Sequence, residues 1–566
     1  MPRKLLVVGG VAGGASAAAR LRRLSEEDQI IVFEKGPHVS FSNCCLPYHL
    51  SGTIEKAEDL VLMTPELFKS QYNIDVRTDN EVVSIDRQAK EVVVKKLTTG
   101  EEYRESYDKL VLSPGGKPIV PPIPGIEKVK SYTIRNVVDI AKLAEAVKGE
   151  NVKNVSVIGG GFIGIETVEN LKEAGYNVTL VEAMPQILRI LDSDMVQILH
   201  KELYDQGVNL IVNDKVSAFE ENKIILGSGR KVDADVVVLA IGVSPEIDLA
   251  KGAGLEIGKT GAIKVDQNYR TVDRDIYAVG DAIEVYSYLF NDYFKLPLAG
   301  PAQKQARGVA DHINGMKIDN RGYIGSSILK VFDYNAASTG MTVDFIRNFK
   351  HNIDFDCVRV IPGDKVGLMP TAKNLHFKLV YEVPTGKILG AQAIGKGNVD
   401  KRIDVIATVI KFGGTIRDLQ DLELCYAPPF GTAKDVVNFA GYVATNRLHD
   451  VFKQVNVDDV RDLVEHSAAI FDVREENEYE LSHIKGAKNI PLSQLRDRIN
   501  EFPKDRNIYL HCRSGQRSYN AVLALQNLGF KRVYNVSGGF MGVSFHEFFH
   551  DKMSGRDTIL TDYNFD

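Results

Sequence analysis

Residues 4–14 read Lys-Leu-Leu-Val-Val-Gly-Gly-Val-Ala-Gly-Gly, and residues 155–164 read Val-Ser-Val-Ile-Gly-Gly-Gly-Phe-Ile-Gly. Each is a short apolar run, as a buried parallel strand gives, ending in a glycine turn. An Ala-rich helical run, Ala15–Leu24, follows the first turn, and a second apolar strand, Gln29–Phe33, closes on Glu34. The second turn leads into a helix reaching Ala174, then Val178–Val181 and Glu182. An acid about 20–25 residues past a glycine turn marks a dinucleotide-binding βαβ unit. There the glycines let the backbone approach a pyrophosphate, the helix N-terminus stabilises its charge, and the acid accepts from a ribose hydroxyl. The first copy departs from the strict pattern at Val11, where a second glycine belongs, so alone it is a weak match. The second copy is complete. Glu182 suits the free 2′-hydroxyl of NADH and repels the 2′-phosphate of NADPH, and neither Ala183 nor Met184 offers a compensating cation.

A chain of 566 residues is too long for one core, and about 100–200 residues per domain predicts several. A net charge of -6 with scattered Lys and Arg leaves no electrostatic footprint for nucleic acid. No apolar run approaches the ~20 residues that span a bilayer, so no membrane partner is expected. Leu5–Val8 runs straight into the glycine turn, which reads as strand and turn rather than an export signal. Five cysteines, Cys44, Cys45, Cys357, Cys425 and Cys512, make no disulfide framework and point to thiol chemistry in a reducing, cytoplasmic setting.

A third segment joins the two glycine turns. Thr271-Val272-Asp273-Arg274-Asp275-Ile276-Tyr277-Ala278-Val279-Gly280-Asp281 resembles the second flavin motif of the two-dinucleotide-domain flavoproteins, in which the terminal Asp, here Asp281, hydrogen-bonds the ribityl chain. Tyr107–Gly115 and Ala234–Pro245 resemble the stretches that carry the chain between the FAD and NAD domains of that family. The resemblance implies FAD and NADH as cofactors, placed so that hydride passes from nicotinamide to isoalloxazine. It maps FAD contacts to Gly9, Gly10, Gly13, Gly14, Glu34, Lys35, Val83, Ser113, Gly115, Asp281 and Ala299, and NADH contacts to Gly159, Gly161, Gly164 and Glu182.

Lipoamide- and glutathione-type members carry two cysteines four residues apart after the first βαβ unit. This chain instead has Ser40-Phe41-Ser42-Asn43-Cys44-Cys45-Leu46-Pro47-Tyr48, which resembles the single-cysteine signature of coenzyme A disulfide reductases. Asn43 is a plausible N-cap and Pro47 fits an early helical turn, so Cys44 is expected at a helix N-terminus that favours the reactive thiolate. The plain alternative is a buried small hydrophobe. A Cys44–Cys45 disulfide is disfavoured, because adjacent Cα atoms lie about 3.8 Å apart against the ~4.4–6.8 Å usual in disulfides.

The same resemblance maps a coenzyme A site, with coenzyme A itself a candidate for tight binding, to Ser16, Arg20, Arg23, Ser40, Asn43, Arg307 and Lys434. Arg20 and Arg23 lie three apart on one helix face, suited to phosphate, or else form a solvated basic face. The family also places a partner-subunit tyrosine beside the cysteine, and Tyr426 in Leu424-Cys425-Tyr426-Ala427-Pro428-Pro429 matches it, implying a homodimer. A second expected tyrosine is missing: Gly363–Pro370 has Leu368 and Met369 there. Loss of that phenol favours a persulfide, whose leaving group HS⁻ needs less help, over coenzyme A disulfide. Gly300 stands where relatives often have tryptophan.

Strand-like alternation at Ile328–Phe332, His376–Tyr381 and Ile388–Ile394, then a helical run Arg402–Lys411, resembles the family's α+β interface domain. After a linker near Leu448–Gln454, Ala469–Val473, Arg474, Glu478 and His483–Pro491 resemble the first half of a rhodanese domain. Ile508–His511 then delivers Cys512-Arg513-Ser514-Gly515-Gln516-Arg517. Such a strand-to-helix loop forms an anion nest, and Cys512, ionised by the nest, the helix terminus and an arginine, suits a persulfide. Four residues separate Cys512 from Arg517, one fewer than in the related phosphatase loop. The stretch Asp551–Asp566 reads as a polar extension.

The expected architecture is α/β: two Rossmann-like dinucleotide-binding domains for FAD and NAD, an α+β dimerisation domain and a C-terminal α/β rhodanese-like domain. The expected limits are 1–112 and 245–323 for FAD, 113–244 for NADH, 324–447 for dimerisation and 452–566 for the rhodanese part. The expected activity is NADH-dependent, FAD-dependent reduction of a persulfide or disulfide (coenzyme A persulfide, polysulfide or coenzyme A disulfide), with Cys44, Tyr426, Cys512 and Arg517 catalytic and no metal. One alternative is an NADH oxidase or quinone reductase using the same flavin and Cys44. The other is a C-terminal module that senses sulfur or docks a partner without catalysis.

Overall fold

The computed structural model describes residues 2–348 and 353–565. Its contacts divide the chain into two compact units, Met1–Pro185 with Ile211–Tyr323, and Gln186–Leu210 with Ile324–Asp566.

The first unit holds two parallel sheets of the same design. In one, Ile276–Ala278, Lys109–Leu112, Lys4–Val8, Gln29–Phe33 and Asp75–Arg77 lie in that order. Leu5, Leu6 and Val7 are buried in a core shared with Ala17, Ala18 and Leu21 of the following helix and with Val82, Ile85, Val92 and Val94 of an antiparallel sheet, and each such side chain contributes about 1.5–3 kcal/mol. The segment starting at Thr271 thus adds its strand beside Lys109–Leu112. In the other sheet Asn177–Val181, Asn154–Ile158, Val236–Leu239 and Ser131–Tyr132 are neighbours. In both, the strand preceding the glycine turn is central, so the turn opens at the carboxyl edge of the sheet, where α/β folds bind ligands.

The second unit holds a five-stranded antiparallel sheet, Ser326–Val331, Tyr334–Gly340, Ile388–Gly395, Leu375–Glu382 and Phe355–Val360, with the helices Val399–Lys411 and Val436–Leu448. Leu375–Val380 is buried on both faces although it carries His376 and Lys378. Buried charge must be matched. Lys378 Nζ donates to Asp194 at 2.7 Å and lies 2.9 Å from Asp192. These acids lead the helix Ser193–Asp205, which also packs on the C-terminal helix, His200 against Phe549 and Tyr204 against Phe548.

The same unit carries a parallel sheet, Lys453–Val455, Val533–Val536, Ile508–His511, Ala469–Asp472 and Lys488–Asn489. The C-terminal stretch is not a loose extension. Gly539–Ser554 is a helix running into it, Leu560 bridges to Ile484, and Phe565 packs on Phe545 and Phe548.

Candidate functional site

The two glycine turns repeat one hydrogen-bonding device. The Gly10 N–H donates to Glu34 Oε2 at 2.8 Å and the Gly36 N–H to Glu34 Oε1 at 2.9 Å. In the second copy the Gly160 N–H donates to Glu182 Oε2 at 2.7 Å and the Met184 N–H to Glu182 Oε1 at 2.8 Å. Each acid is thereby held at its strand end with lone pairs to spare for a ribose hydroxyl. Gly9 and Gly159 have φ of +92° and +108°, and a Cβ there would fall 2.1 Å from Ser113 O and 2.4 Å from Ala240 O. Gly14 and Gly164 close the same contact, since a Cβ on either would strike the carbonyl of Gly9 or Gly159. Gly13 faces Ser113 Oγ, and no side chain lies within 4 Å of a Cβ built on Gly115 or Gly161.

The helices that follow, Ala12–Leu24 and Phe162–Glu173, have no side-chain N-cap and no acid in the first turn. Elsewhere in this unit Thr64 and Asn136 cap their helices. Uncapped N–H groups and the positive end of the helix dipole fit a pyrophosphate in both copies. Burial raises the Asp281 carboxyl above its usual range. Its neighbour Gly280 donates to Gln305 Oε1. Ala299 opens the helix Ala299–Ile313, Lys35 pairs with Glu246 at 3.4 Å, and Val83 lies at a bulge of the strand Asn80–Asp86.

Cys44 is exposed on a 3-10 turn, Asn43–His49, and both it and Cys45 are free thiols. The expected cap differs: Ser42, not Asn43, precedes the turn, and its side chain makes no capping bond. The protein groups around the thiol oppose the thiolate rather than favour it. Partial burial raises the Cys44 pKa, and the acids Glu166 and Asp281 and the neighbouring Cys45 thiol raise it further. Glu166 is itself pushed up to about 7 by burial and by Glu169. It lies one helical turn before Asn170, which accepts from Ser51 Oγ at 2.6 Å and so ties this helix to the Cys44 segment. Sequence reasoning missed Glu166; the signal was an acid two residues past Gly164 with Glu169 and Asn170 one turn on, a polar cluster on one face of the helix.

Arg20 Nε donates to Asp311 Oδ1 at 2.7 Å, and Arg307 lies 3.6 Å from the same carboxylate, so Asp311 gathers two of the expected coenzyme A residues. Arg23 is exposed, whereas Arg22 between them is buried and donates to the carbonyls of Ser25, Glu26, Asp28 and Asn73. Ser16 is half-buried on the same helix, Ser40 has φ +50° and donates its N–H to Gly10 O, and Asn43 is exposed. In the second unit Tyr426 is 49% and Leu368 92% exposed, and Lys434 stacks over Phe439 and Tyr442.

Cys512 is 1% exposed at the floor of its loop. Its Sγ accepts from the Gly515 N–H at 3.2 Å and lies 3.5 Å from Ser518 Oγ. Ser518 Oγ donates to Asn535 Oδ1 at 2.6 Å, and Asn535 Nδ2 to Gly515 O. The C-terminal helix braces the loop, since Phe540 N–H donates to Cys512 O and Met541 N–H to Arg513 O. That approach needs glycine at 539, where φ is +58° and a Cβ would fall 2.6 Å from Cys512 O. Beneath the loop, Arg474 makes hydrogen bonds of 2.7–3.0 Å to buried Asp472. Burial works to raise the Asp472 carboxyl, but His511 and Arg474 outweigh it and hold it below its usual range. Burial lowers the His511 pKa, and Arg474, bonded to Asp472 through Nε and a terminal nitrogen, supplies the hydrogen-bonded counter-charge. Arg517, expected to help ionise Cys512, is instead held by Glu478, to which it donates at 2.6 and 2.8 Å.

Residues 3–306 match the family model described as pyridine nucleotide-disulphide oxidoreductase, and residues 326–436 match the dimerisation domain of that family. The chain belongs to the pyridine nucleotide-disulphide oxidoreductase family. Residues 456–545 match the rhodanese-like domain. Coenzyme A disulfide reductase of Staphylococcus haemolyticus is 33% identical over 444 residues, 78% of this chain and 99% of that protein. The structure of reduced Bacillus anthracis CoADR-RHD is 45% identical, covers 96% of this chain and 98% of its own, and superposes with a TM-score of 0.93. A NAD-dependent persulfide reductase from A. fulgidus is 35% identical, with 95% and 99% coverage and a TM-score of 0.90. Membership in the pyridine nucleotide-disulphide oxidoreductases makes this chain an oxidoreductase and implies FAD and NADH, which the uncapped helices and paired acids fit. Among the described residues no helix is long and apolar enough to cross a membrane, and no group of acids, His and Cys could hold a metal.

Proposed function

We propose that this oxidoreductase uses NADH to reduce persulfides and disulfides, coenzyme A persulfide foremost, and that its rhodanese-like part transfers sulfane sulfur through Cys512. The carrying observation is the pairing in one chain of an exposed free thiol at Cys44, on the turn Asn43–His49, with a sulfur-sized loop around Cys512. Residues 1–112 and 245–323 serve FAD, 113–244 NADH, 324–447 dimerisation and 452–566 sulfurtransfer. Glu34 and Asp281 would hold FAD, and Gly159–Gly164 with Glu182 would hold NADH. When bound, FAD supplies the two-electron relay between NADH and the sulfur centre.

Cys44 Sγ attacks the inner sulfur of the persulfide, the substrate S–S bond breaks, and HS⁻ leaves with its electron pair. Two-electron reduction of the resulting mixed disulfide releases the thiol and restores Cys44. Arg20, Arg23 and Arg307, with Ser16, Ser40 and Asn43, offer donors for the phosphates and amides of coenzyme A, and Lys434 adds a cation. Two copies pair through the dimerisation domain, where Leu368 and Phe430 are exposed, and Tyr426 of each copy serves the other's thiol. With Leu368 where a phenol would stand, no second proton donor is present, which favours the small leaving group HS⁻. The free cysteines fit a reducing, cytoplasmic setting.

Anaerobic NADH oxidation by the pure flavoprotein, offered coenzyme A persulfide, coenzyme A disulfide, polysulfide and menadione in parallel, tests this reading. Turnover on the sulfur substrates that disappears in Cys44→Ser supports it. Turnover confined to menadione, or to oxygen once air is admitted, replaces it with a quinone reductase or oxidase.

A further inference from the structure

Three arginines surround the Cys512 loop: Arg474, Arg513 and Arg517. Arg474 is buried and consumed by Asp472. Arg517 opens the helix Gln516–Asn527 and donates through both terminal nitrogens to the two oxygens of Glu478. That pair is two-thirds shielded from solvent, with side-chain exposures of 33% and 29%. Glu478 is fixed from its own side too, because its Oε2 also accepts from the Glu475 N–H in a capping box at the start of the helix Glu476–Leu481. Bonding to Arg517 holds the Glu478 carboxyl below its usual range, so it remains charged at neutral pH. Arg513 is exposed. The loop therefore offers Cys512 the neutral N–H dipoles of a nest, with its neighbouring guanidinium cancelled by a matched carboxylate.

We propose that Glu478 is a specificity-determining residue of the Cys512 site, which by neutralising Arg517 selects persulfide donors, which carry no sulfonate beside the transferred sulfur, over the dianion thiosulfate. The inference rests on the sulfurtransfer reading of Cys512 given above. In either reaction the Cys512 thiolate attacks the outer, sulfane sulfur. A new S–S bond forms on Cys512, the donor S–S bond breaks, and its electron pair leaves with sulfite from thiosulfate or with a thiolate from a persulfide. No external oxidant or reductant is needed. The two donors differ in what must lie beside Arg517 as the bond breaks. Thiosulfate brings a sulfonate carrying the departing charge, and a guanidinium already bonded twice to a carboxylate has little left to offer it. An organic persulfide also leaves as an anion, a thiolate, but it brings no sulfonate and so places one negative charge fewer beside Arg517.

The test compares full-length, FAD-loaded wild type, Glu478→Gln and Glu478→Asp, with cyanide as final acceptor and thiocyanate as readout. Thiosulfate and glutathione persulfide are the alternative donors. Expected is a rise of about tenfold in the ratio of kcat/KM for thiosulfate to that for glutathione persulfide in Glu478→Gln, as one uncancelled charge would give, carried by a lower thiosulfate KM. The gain should shrink with added salt, and Glu478→Asp, which keeps the charge, should keep the wild-type ratio. An unchanged ratio in a Glu478→Gln protein with wild-type thermal unfolding overturns the proposal, as does an equal rise in Glu478→Asp. If Glu478→Gln unfolds early, the double variant Arg517→Gln/Glu478→Gln decides: a wild-type thiosulfate kcat/KM supports a cancelled pair, and a fall of about tenfold means that Arg517 already serves thiosulfate and overturns the proposal. Failure of both donors to leave sulfur on wild-type Cys512, read by intact mass, sinks the sulfurtransfer reading instead.

Discussion

Cys44 stands exposed on a seven-residue 3-10 turn without a side-chain cap, whereas Cys512 lies buried on a loop braced by a helix, an amide side chain and an ion pair. Around Cys44 the named influences are burial and negative charge, from Glu166 and Asp281, and they push its thiol up. Around Cys512 they are hydrogen bonds to a fixed backbone. The difference teaches that one sulfur centre is governed by the charges that face it and the other by the rigidity of its cradle. Substitutions among the acids should therefore act on reactivity at the first, and substitutions in the buried braces on stability at the second.

The largest expected effect separates the two centres outright. Cys44→Ser should lower NADH-dependent persulfide turnover by about a thousandfold or more while leaving sulfur transfer to cyanide at wild-type rate, and Cys512→Ser should do the reverse. A variant that abolished both activities would break the division of labour.

Next comes the cradle. Asp472→Asn leaves Arg474 buried without its counter-charge, at a cost of about 3–5 kcal/mol in denaturant unfolding of the C-terminal part. The pH dependence follows from the same carboxyl. Its folded pKa is depressed, so its stabilisation is present above the unfolded value and is lost as pH falls through the folded one. Cys512, buried at neutral pH, should therefore become open to alkylation in acid at a higher pH in the Asp472→Asn protein than in wild type, as peptide mass mapping would record.

The smallest effect concerns Glu166. Its carboxyl ionises as pH rises through about 7 and then opposes ionisation of Cys44. Glu166→Gln removes that opposition, so iodoacetamide should modify Cys44 a few-fold faster than in wild type above about pH 7, with the two rates converging below it. Equal rates across the whole range would show that Glu166 does not act on this thiol, leaving burial, Cys45 and Asp281 to set it.

Much of this was legible in the sequence because it is local. The strands Lys4–Val8 and Asn154–Ile158, the glycine turns and the acids Glu34 and Glu182 all lie within 30 residues of each other in their own copy, and periodicity and spacing carry them. The strand Ile508–His511 and the loop at Cys512 were equally plain. What stayed hidden depends on partners far along the chain. Glu166 acts on a cysteine more than a hundred residues earlier, and Arg517 is met by Glu478 from another helix. Arg22 reads as one of a row of basic surface residues, yet it is buried because carbonyls of the turn after its helix and of Asn73 converge on it. The cap was misread for a local reason: Asn43 is the better capping residue by type, but the turn begins one residue earlier than its chemistry suggests.

The helix Ser193–Asp205 falls, by sequence, inside the NADH-binding region, yet it belongs to the second unit, where Phe548 and Phe549 cover Tyr204 and His200. A gene cut in the linker near residue 450 would thus not yield two portable cassettes. The released sulfurtransferase would lose an aromatic seam, and the remaining reductase would show water a face grown to meet phenylalanines. What looks in the sequence like one module appended to another has become a joint inheritance, in which mutations that retune either centre must keep the shared seam intact.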